Sequence, residues 1–325
     1  MNAVLTADGS SGPATREQVA ERLRSQQFFW LDLAGVDDEV KSMLGDSFGI
    51  HPLAYTNACE FQQRPKVEDY DDYTYMVAYG AADTEGGATV VEVHFMFAAH
   101  YVVSIHHGPC PALDGVRERL AQHHATEVQS PQIVLVYLMI DQLVDTFFPV
   151  LEKFDNAIDD LEDAILERPT EAQLGTLFDM KRSLIAIRRV VTPQRDMFAG
   201  VSAGIIEIPG VSGQGERYMR ELYDHLIRIS DLVDSYRDLL SGVMDTHLST
   251  VSNRLNQVMK QLTIIATIFL PLSFLTGFFG QNFAVLVRDI QSGAAFWGLG
   301  IGLEVLAVIV LIYLFKTRGW LGQAE

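Results

Sequence analysis

The chain has 325 residues, enough for more than one domain at roughly 100–200 residues each. Its 42 acidic and 24 basic side chains leave a net charge of −18, which argues against nucleic acid as a partner and for a surface that gathers cations. The two cysteines, Cys59 and Cys110, form no C-x-x-C pair, so neither a zinc knuckle nor a redox motif is indicated and both are expected as free thiols.

Residues 1–26 are rich in Gly, Ser and Ala and lack the apolar core of a signal peptide. They read as a mobile leader. Residues 27–128 read as an α/β domain with a small sheet. Phe28–Leu33, Tyr73–Tyr79, Val90–Phe97 and His100–His106 are rich in β-formers, whereas Asp37–Phe48 and Leu113–His124 have helical texture. From Pro131 the sequence turns almost wholly helical. A helical hairpin is expected over 131–200, with one long pattern from Gln132 to Leu166 and a second from Glu171 to Met197. A Gly/Pro-rich loop follows.

The next pattern has no strong break before Pro271. Leu222, Leu226, Ile229, Val233, Tyr236, Leu240 and Val243 recur at alternating steps of four and three, a heptad seam. This reads as a stalk helix over 214–261 that enters a membrane. Two apolar runs complete the chain. Leu262–Phe279 has no charge and Phe296–Phe315 has only Glu304; at about 18 and 20 residues, both suit a hydrocarbon core about 30 Å thick. The expected spans are 262–280 and 296–315, joined by a loop over 281–295 and followed by a tail over 316–325. Arg254 and Lys260 precede the pair, and Lys316 and Arg318 follow it. The positive-inside rule then puts both termini in the cytosol of a plasma-membrane protein.

One face of the first span departs from what lipid selects. At heptad spacing it reads Asp245, Ser249, Ser252, Asn256, Met259, Thr263, Ala266, Leu270, Ser273, Gly277 and Gly280, with Gln281 and Asn282 just beyond. Small residues favour tight helix packing. Several copies of such a stripe also surround a water-filled path, with Met259 and Leu270 as apolar constrictions. Oxygen-bearing side chains at both ends suit hard cations or their hydration shells.

The segment Asn253–Phe283, with its ending Thr276-Gly277-Phe278-Phe279-Gly280-Gln281-Asn282-Phe283, closely resembles the first transmembrane helix of the CorA family of divalent-cation transporters. Gln63-Arg64-Pro65-Lys66-Val67-Glu68, Leu166-Glu167-Arg168-Pro169, Tyr223-Asp224-His225 and Gly319-Trp320-Leu321 extend the likeness. The resemblance implies a homopentameric funnel that conducts Mg²⁺, with Co²⁺ and Ni²⁺ as further candidate cargo, with no enzymatic activity and no bound cofactor beyond the transported or regulatory ion. It places Asn256, Met259, Leu262, Leu270, Ser273 and the Gly280-Gln281-Asn282 mouth along the pore. Leu262 stands where the heptad spacing selects Thr263. The family signature is G-M-N, so Gln281 is a departure. The family's zinc-transporting branch also varies that residue, which keeps zinc as an alternative cargo. The resemblance further implies regulatory cation sensing through Asp141 and Glu221, with Asn57 in place of a third acid.

Other signals have plainer readings. Gly200-Val201-Ser202-Ala203-Gly204 fits the hydrolase nucleophile elbow, but that motif needs a strand before it. Asp155, Asp159, Asp160, Glu162, Asp163 and Glu167 read as a solvated helix face. His106-His107 and His123-His124 lack partners at metal-ligand spacing. Glu304 lies at membrane depth, where a carboxylate costs on the order of 2.5–3.5 kcal/mol; it is either hydrogen-bonded against the first span or a proton-coupling group.

Overall fold

The β-rich runs of the first half assemble into one sheet. The computed structural model describes residues 3–7, 10–84, 87–122, 130–281, 283–289 and 292–320. Its strands are β1 (Ala3–Ala7), β2 (Ser10–Pro13), β3 (Phe29–Ala34), β4 (Lys66–Tyr70), β5 (Tyr73–Thr84), β6 (Gly87–Ala98) and β7 (Tyr101–His106), in the order β2-β1-β3-β7-β6-β5-β4. Among the described residues only β3 and β7 pair in parallel. Every residue of β7 and the first five of β3 are buried, as expected of central strands covered on both faces.

Helices α1 (Arg16–Ser25), α2 (Asp38–Asp46), α3 (Pro52–Glu60) and α4 (Pro111–Gln122) surround the strands in sequence, and α5 (Pro131–Asp145), α6 (Phe147–Glu167) and α7 (Glu171–Ser202) follow. Helix α8 (Gln214–Phe279) is a single helix of 66 residues. Short helices α9 (Ala284–Asp289) and α10 (Gly293–Ala295) lead into a π-helical segment, Phe296–Gly302, and then α11 (Leu303–Thr317). The chain forms two compact units, 1–245 and 246–325, and α8 contributes to both.

Two expectations are corrected. Within the mobile leader expected over 1–26, β1 and β2 belong to the sheet: β1 pairs with β3 from Ala3↔Leu33 to Thr6↔Trp30, and Thr15 begins α1 with a reciprocal capping box to Gln18. The long pattern from Gln132 to Leu166 breaks at Thr146, so the hairpin over 131–200 is three helices. Pro149 is the reason: it offers no N–H to the Asp145 carbonyl, and its ring obstructs the preceding turn.

That break caps the sheet. β4 pairs with β5 only as far as Val77, which leaves the next residues of β5 with an open edge. Side chains close it. The Tyr79 N–H donates to Gln194 Oε1 at 2.6 Å, Gln194 Nε2 donates to the Tyr79 carbonyl at 3.2 Å, and the Ala81 N–H donates to Thr146 Oγ1 at 2.7 Å. Helices α5 and α7 are thereby fixed against the sheet.

Among the described residues, three helical stretches are long and apolar enough to cross a membrane: Pro131–Glu167, Gln214–Phe279 and Gly293–Thr317. The most apolar window of the first is 50% buried within the protein, whereas those of the other two are 0% buried. The first is therefore a core layer against β5. The second and third leave their hydrocarbon surface uncovered by the chain itself.

Candidate functional site

The second unit shows which way the small and polar stripe points. Asp245, Ser249, Ser252, Asn256, Met259, Leu262, Thr263, Ala266, Leu270, Ser273, Gly277 and Gly280 are all exposed in the single chain. Ile264, Thr267, Ile268, Pro271, Leu272, Leu275 and Phe279 are partly covered instead. At 3.6 residues per turn the two sets lie on opposite faces of α8. The covered face meets α11, where Thr267 lines a cavity with Leu311, Leu314 and Phe315; at its border the exposed Thr276 donates its hydroxyl to Glu304 Oε1 at 2.7 Å. From Thr263 onward the stripe is turned away from α11, as are the bulky Ile265 and Phe269; from Val251 to Met259 every residue of α8 is exposed. Leu262 and Thr263 are both exposed neighbours. The Thr263 hydroxyl is already committed to the Met259 carbonyl at 2.7 Å. The helix ends with the Gly280 N–H on the Thr276 carbonyl and the Gln281 N–H on that of Phe278. Gln281 is exposed, and Asn282 lies outside the described residues.

Glu304 sits on the α11 face that meets α8 and is partly covered there, beside Thr276. Its contact with Thr276 is the hydrogen bond that a carboxyl at this depth requires.

A second site lies in the first unit, between α5 and α8. Tyr137, Asp141 and Asp145 are spaced four apart on α5, and Glu221 and His225 are four apart on α8, so each set forms one row. The rows meet rung by rung. Tyr137 stacks on Tyr218 at 4.4 Å and donates its hydroxyl to Glu221 Oε2 at 3.0 Å. One turn on, His225 Nδ1 lies 3.6 Å from Asp141 Oδ1 and 3.8 Å from Asp145 Oδ1. Ligand atoms of Asp141, Asp145 and His225 all lie within 4.8 Å of one another. Asp141 Oδ1 and His225 Nδ1 are buried atoms without a hydrogen-bond partner among the described residues. Burial, then Asp145, push the Asp141 carboxyl above its ordinary range; His225 opposes them, and Glu221 adds to the rise. A cation between these groups would satisfy the orphaned atoms and relieve the repulsion. The carboxylates suit Mg²⁺, and the imidazole admits transition ions.

Asp141 and Glu221 were expected from the sequence and meet in this seam. Asp145 and His225 were not, although their four-residue spacing from the expected pair was visible. Asn57 lies on α3, half-buried, and its side chain makes no hydrogen bond among the described residues.

A family model described as CorA-like Mg2+ transporter protein matches residues 25–317. The chain belongs to the CorA family. The cobalt/magnesium transport protein CorA of Thermotoga maritima is 34% identical over 297 residues, covering 90% of this chain and 83% of that one. The zinc transport protein ZntB of Yersinia enterocolitica is 26% identical, covering 81% and 76%. The complete structure of the CorA magnesium transporter from Methanocaldococcus jannaschii matches with a TM-score of 0.82 at 20% identity, covering 99% of both chains. That likeness establishes the fold: an α/β soluble domain, a long helix and a C-terminal helix.

CorA proteins are divalent-cation transporters and not enzymes, which removes the hydrolase reading of Ser202. The geometry agrees. Ser202 is the last residue of helix α7, so no strand leads into it. The acids of α6 are solvated, with Asp155, Asp159, Asp160, Asp163 and Glu167 exposed and Glu162 half-covered. His106 is a buried structural group, 3.3 Å from Asp32 and 2.6 Å from the Gly108 carbonyl. His123 and His124 lie outside the described residues.

Proposed function

We propose that this CorA protein conducts Mg²⁺ into the cell through a homopentameric pore, driven by the membrane potential. The observation that carries this reading is the orientation of the α8 stripe. A face of small and polar residues is kept clear of α11 and fully exposed in one chain. In lipid such a face needs other copies or water against it. Five copies around an axis supply both. Gln281 and Asn282 then form amide rings at the mouth. Mg²⁺ gives up its waters reluctantly, and amide oxygens accept hydrogen bonds from those waters without removing them. Met259 and Leu270 form the apolar constrictions that gate. The basic flanks Arg254, Lys260, Lys316 and Arg318 support a plasma-membrane topology with both termini cytosolic. Asp141, Asp145, Glu221 and His225 form the regulatory cation site, with no resident cofactor.

Zinc carried with proton coupling through Glu304 is the second reading, supported by the ZntB relative and the variant Gln281. The commitment of the Glu304 carboxyl to the Thr276 hydroxyl weighs against it.

Ion flux into proteoliposomes, with and without a pH gradient, tests both. We expect Mg²⁺ uptake that is indifferent to the gradient. Asn282→Ala is expected to nearly abolish uptake, and Gln281→Met to preserve it with altered preference among Mg²⁺, Co²⁺, Ni²⁺ and Zn²⁺. Normal Mg²⁺ flux through Asn282→Ala would overturn the assignment of the mouth. Zinc flux that requires the gradient, with no Mg²⁺ flux, would favour the second reading.

A further inference from the structure

The two membrane helices leave a groove between them at their basic end. It is a cavity of about 210 Å³ lined by Thr267, Leu311, Leu314, Phe315, Arg318 and Trp320. Its floor is hydrocarbon and one end is closed by the chain. The backbone turns back at Gly319, whose φ is +68°, and the Trp320 N–H bonds the Phe315 carbonyl at 2.8 Å. The Trp320 ring then stacks on Phe315 with centroids 5.7 Å apart and planes 12° apart. Lys260 Nζ reaches the Gly319 carbonyl at 3.4 Å and holds this turn to α8. The Arg318 side chain borders the groove and makes no hydrogen bond or ion pair with any described residue.

The charge around the groove inverts that of the chain. The whole chain carries −18, yet Thr246–Gly280 and Val305–Trp320 contain no Asp or Glu while Arg254, Lys260, Lys316 and Arg318 flank the spans. Snorkelling of Arg318 and interfacial anchoring of Trp320 need no groove. An apolar slot ending at an unpaired guanidinium instead matches an amphiphile with an anionic head, and basic pockets between membrane helices are known to hold such headgroups.

We propose that this groove binds one anionic phospholipid, its acyl chain against Leu311, Leu314 and Phe315 and its phosphate at Arg318. The site rests on the reading of α8 and α11 as membrane spans, not on the identity of the transported ion.

Trp320 reports on its own neighbour. The full chain carrying Trp297→Phe is reconstituted in phosphatidylcholine vesicles with either phosphatidylglycerol or phosphatidylcholine brominated on the same acyl chain. Trp30 is buried in the first unit and gives a constant background. Half-maximal quenching of Trp320 is expected at an about fivefold lower mole fraction of the brominated phosphatidylglycerol, the ratio for one basic residue worth about 1 kcal/mol at an anionic headgroup. Arg318→Gln is expected to bring the two curves together, and Leu311→Phe, which fills the slot, to reduce the preference. Soluble glycerol phosphate is expected to displace neither lipid. Equal curves in the parent would show ordinary solvation and overturn the site. No quenching by either lipid would show that a neighbouring subunit covers the groove, with the same result. Displacement by glycerol phosphate would reduce it to an anion site. Mg²⁺ flux in the same vesicles is expected to persist in Arg318→Gln, so loss of the lipid site and failure of the transport reading are separable.

Discussion

Asp141 is held among groups that pull its proton in opposite directions. Burial and Asp145 raise its pKa, His225 and Arg119 lower it, Glu221 raises it further, and the net shift is upward from 3.8. A raised carboxyl means that the folded state disfavours the charge. Stability is therefore lost as pH climbs from the ordinary value through the raised one, and a bound cation restores it. Mg²⁺ is expected to raise the melting temperature, and to do so more strongly as pH rises above the Asp141 value. At a hundredfold excess over Kd the gain is about 2.7 kcal/mol. Asp141→Asn is expected to melt no lower than the parent without Mg²⁺ and to lose most of the gain; an undiminished Mg²⁺ response in that variant would remove Asp141 from the site. His106 shows the opposite linkage. Burial works against its charged form, but the hydrogen bond and charge of Asp32 and the Gly108 carbonyl outweigh it and raise the pKa from 6.5. Both ring nitrogens face acceptors, an arrangement only the imidazolium satisfies with two donors. Its contribution is complete below 6.5 and is lost as pH rises through the folded value. His106→Gln is expected to flatten the alkaline loss of stability seen in denaturant titrations between neutral and mildly basic pH.

At the scale of elements, the seam between β5 and the α5–α6 break shows what can and cannot be read from residues. A Cβ on Gly80 would lie 2.7 Å from the Leu143 carbonyl oxygen and 2.8 Å from Thr146 Oγ1. The first is backbone and cannot step aside, so Gly80→Ala must push α5 off the sheet. The expected loss is on the order of 1–3 kcal/mol in chemical denaturation, whereas Gly12→Ala, with nothing within 4 Å, is expected to change little. No local pattern announces this contact, because Gly80 looks like any glycine in a strand and the partner lies more than sixty residues away. The strands β3, β5, β6 and β7 were legible because burial on both faces demands continuous β-branched and aromatic runs. The α8 seam was legible because its heptad positions, Leu222 through Val243, are the buried ones. Strand β1 was not: Ala3-Val4-Leu5-Thr6-Ala7 is short and plain, and pairing with β3 rather than propensity makes it a strand. The α5–α6 break was legible in Pro149 and was passed over because the apolar pattern continues across it. In the α5–α8 cluster, resemblance supplied Asp141 and Glu221. Asp145 and His225 required knowing that α5 and α8 run side by side.

At the scale of the molecule, the second unit leaves large apolar side chains uncovered on two faces. Met259, Leu262 and Leu270 are 53%, 59% and 75% exposed on one face of α8, and Ile309 is 59% exposed on α11. The two exposures call for different neighbours. Ile309 belongs to a face of aliphatic residues that lipid solvates without cost. The α8 face alternates such residues with Asn256, Ser273 and glycine, which lipid solvates poorly and a ring of identical helices does not. If five α8 helices surround an axis, equivalent stripe residues approach one another and equivalent α11 residues stay apart. Cysteines placed on the two faces distinguish these neighbours. In a Cys59→Ser background, where the remaining Cys110 is buried, Met259→Cys is expected to cross-link between chains under mild oxidation, and Ile309→Cys to remain monomeric on the same gel. One thiol per subunit joins only two chains at a time, so the gel reports proximity and native mass must report the number. The native mass in detergent is expected to equal five chains. A dimer or tetramer by mass, or cross-linking through Ile309→Cys in place of Met259→Cys, would turn α8 outward and remove the pore from its stripe.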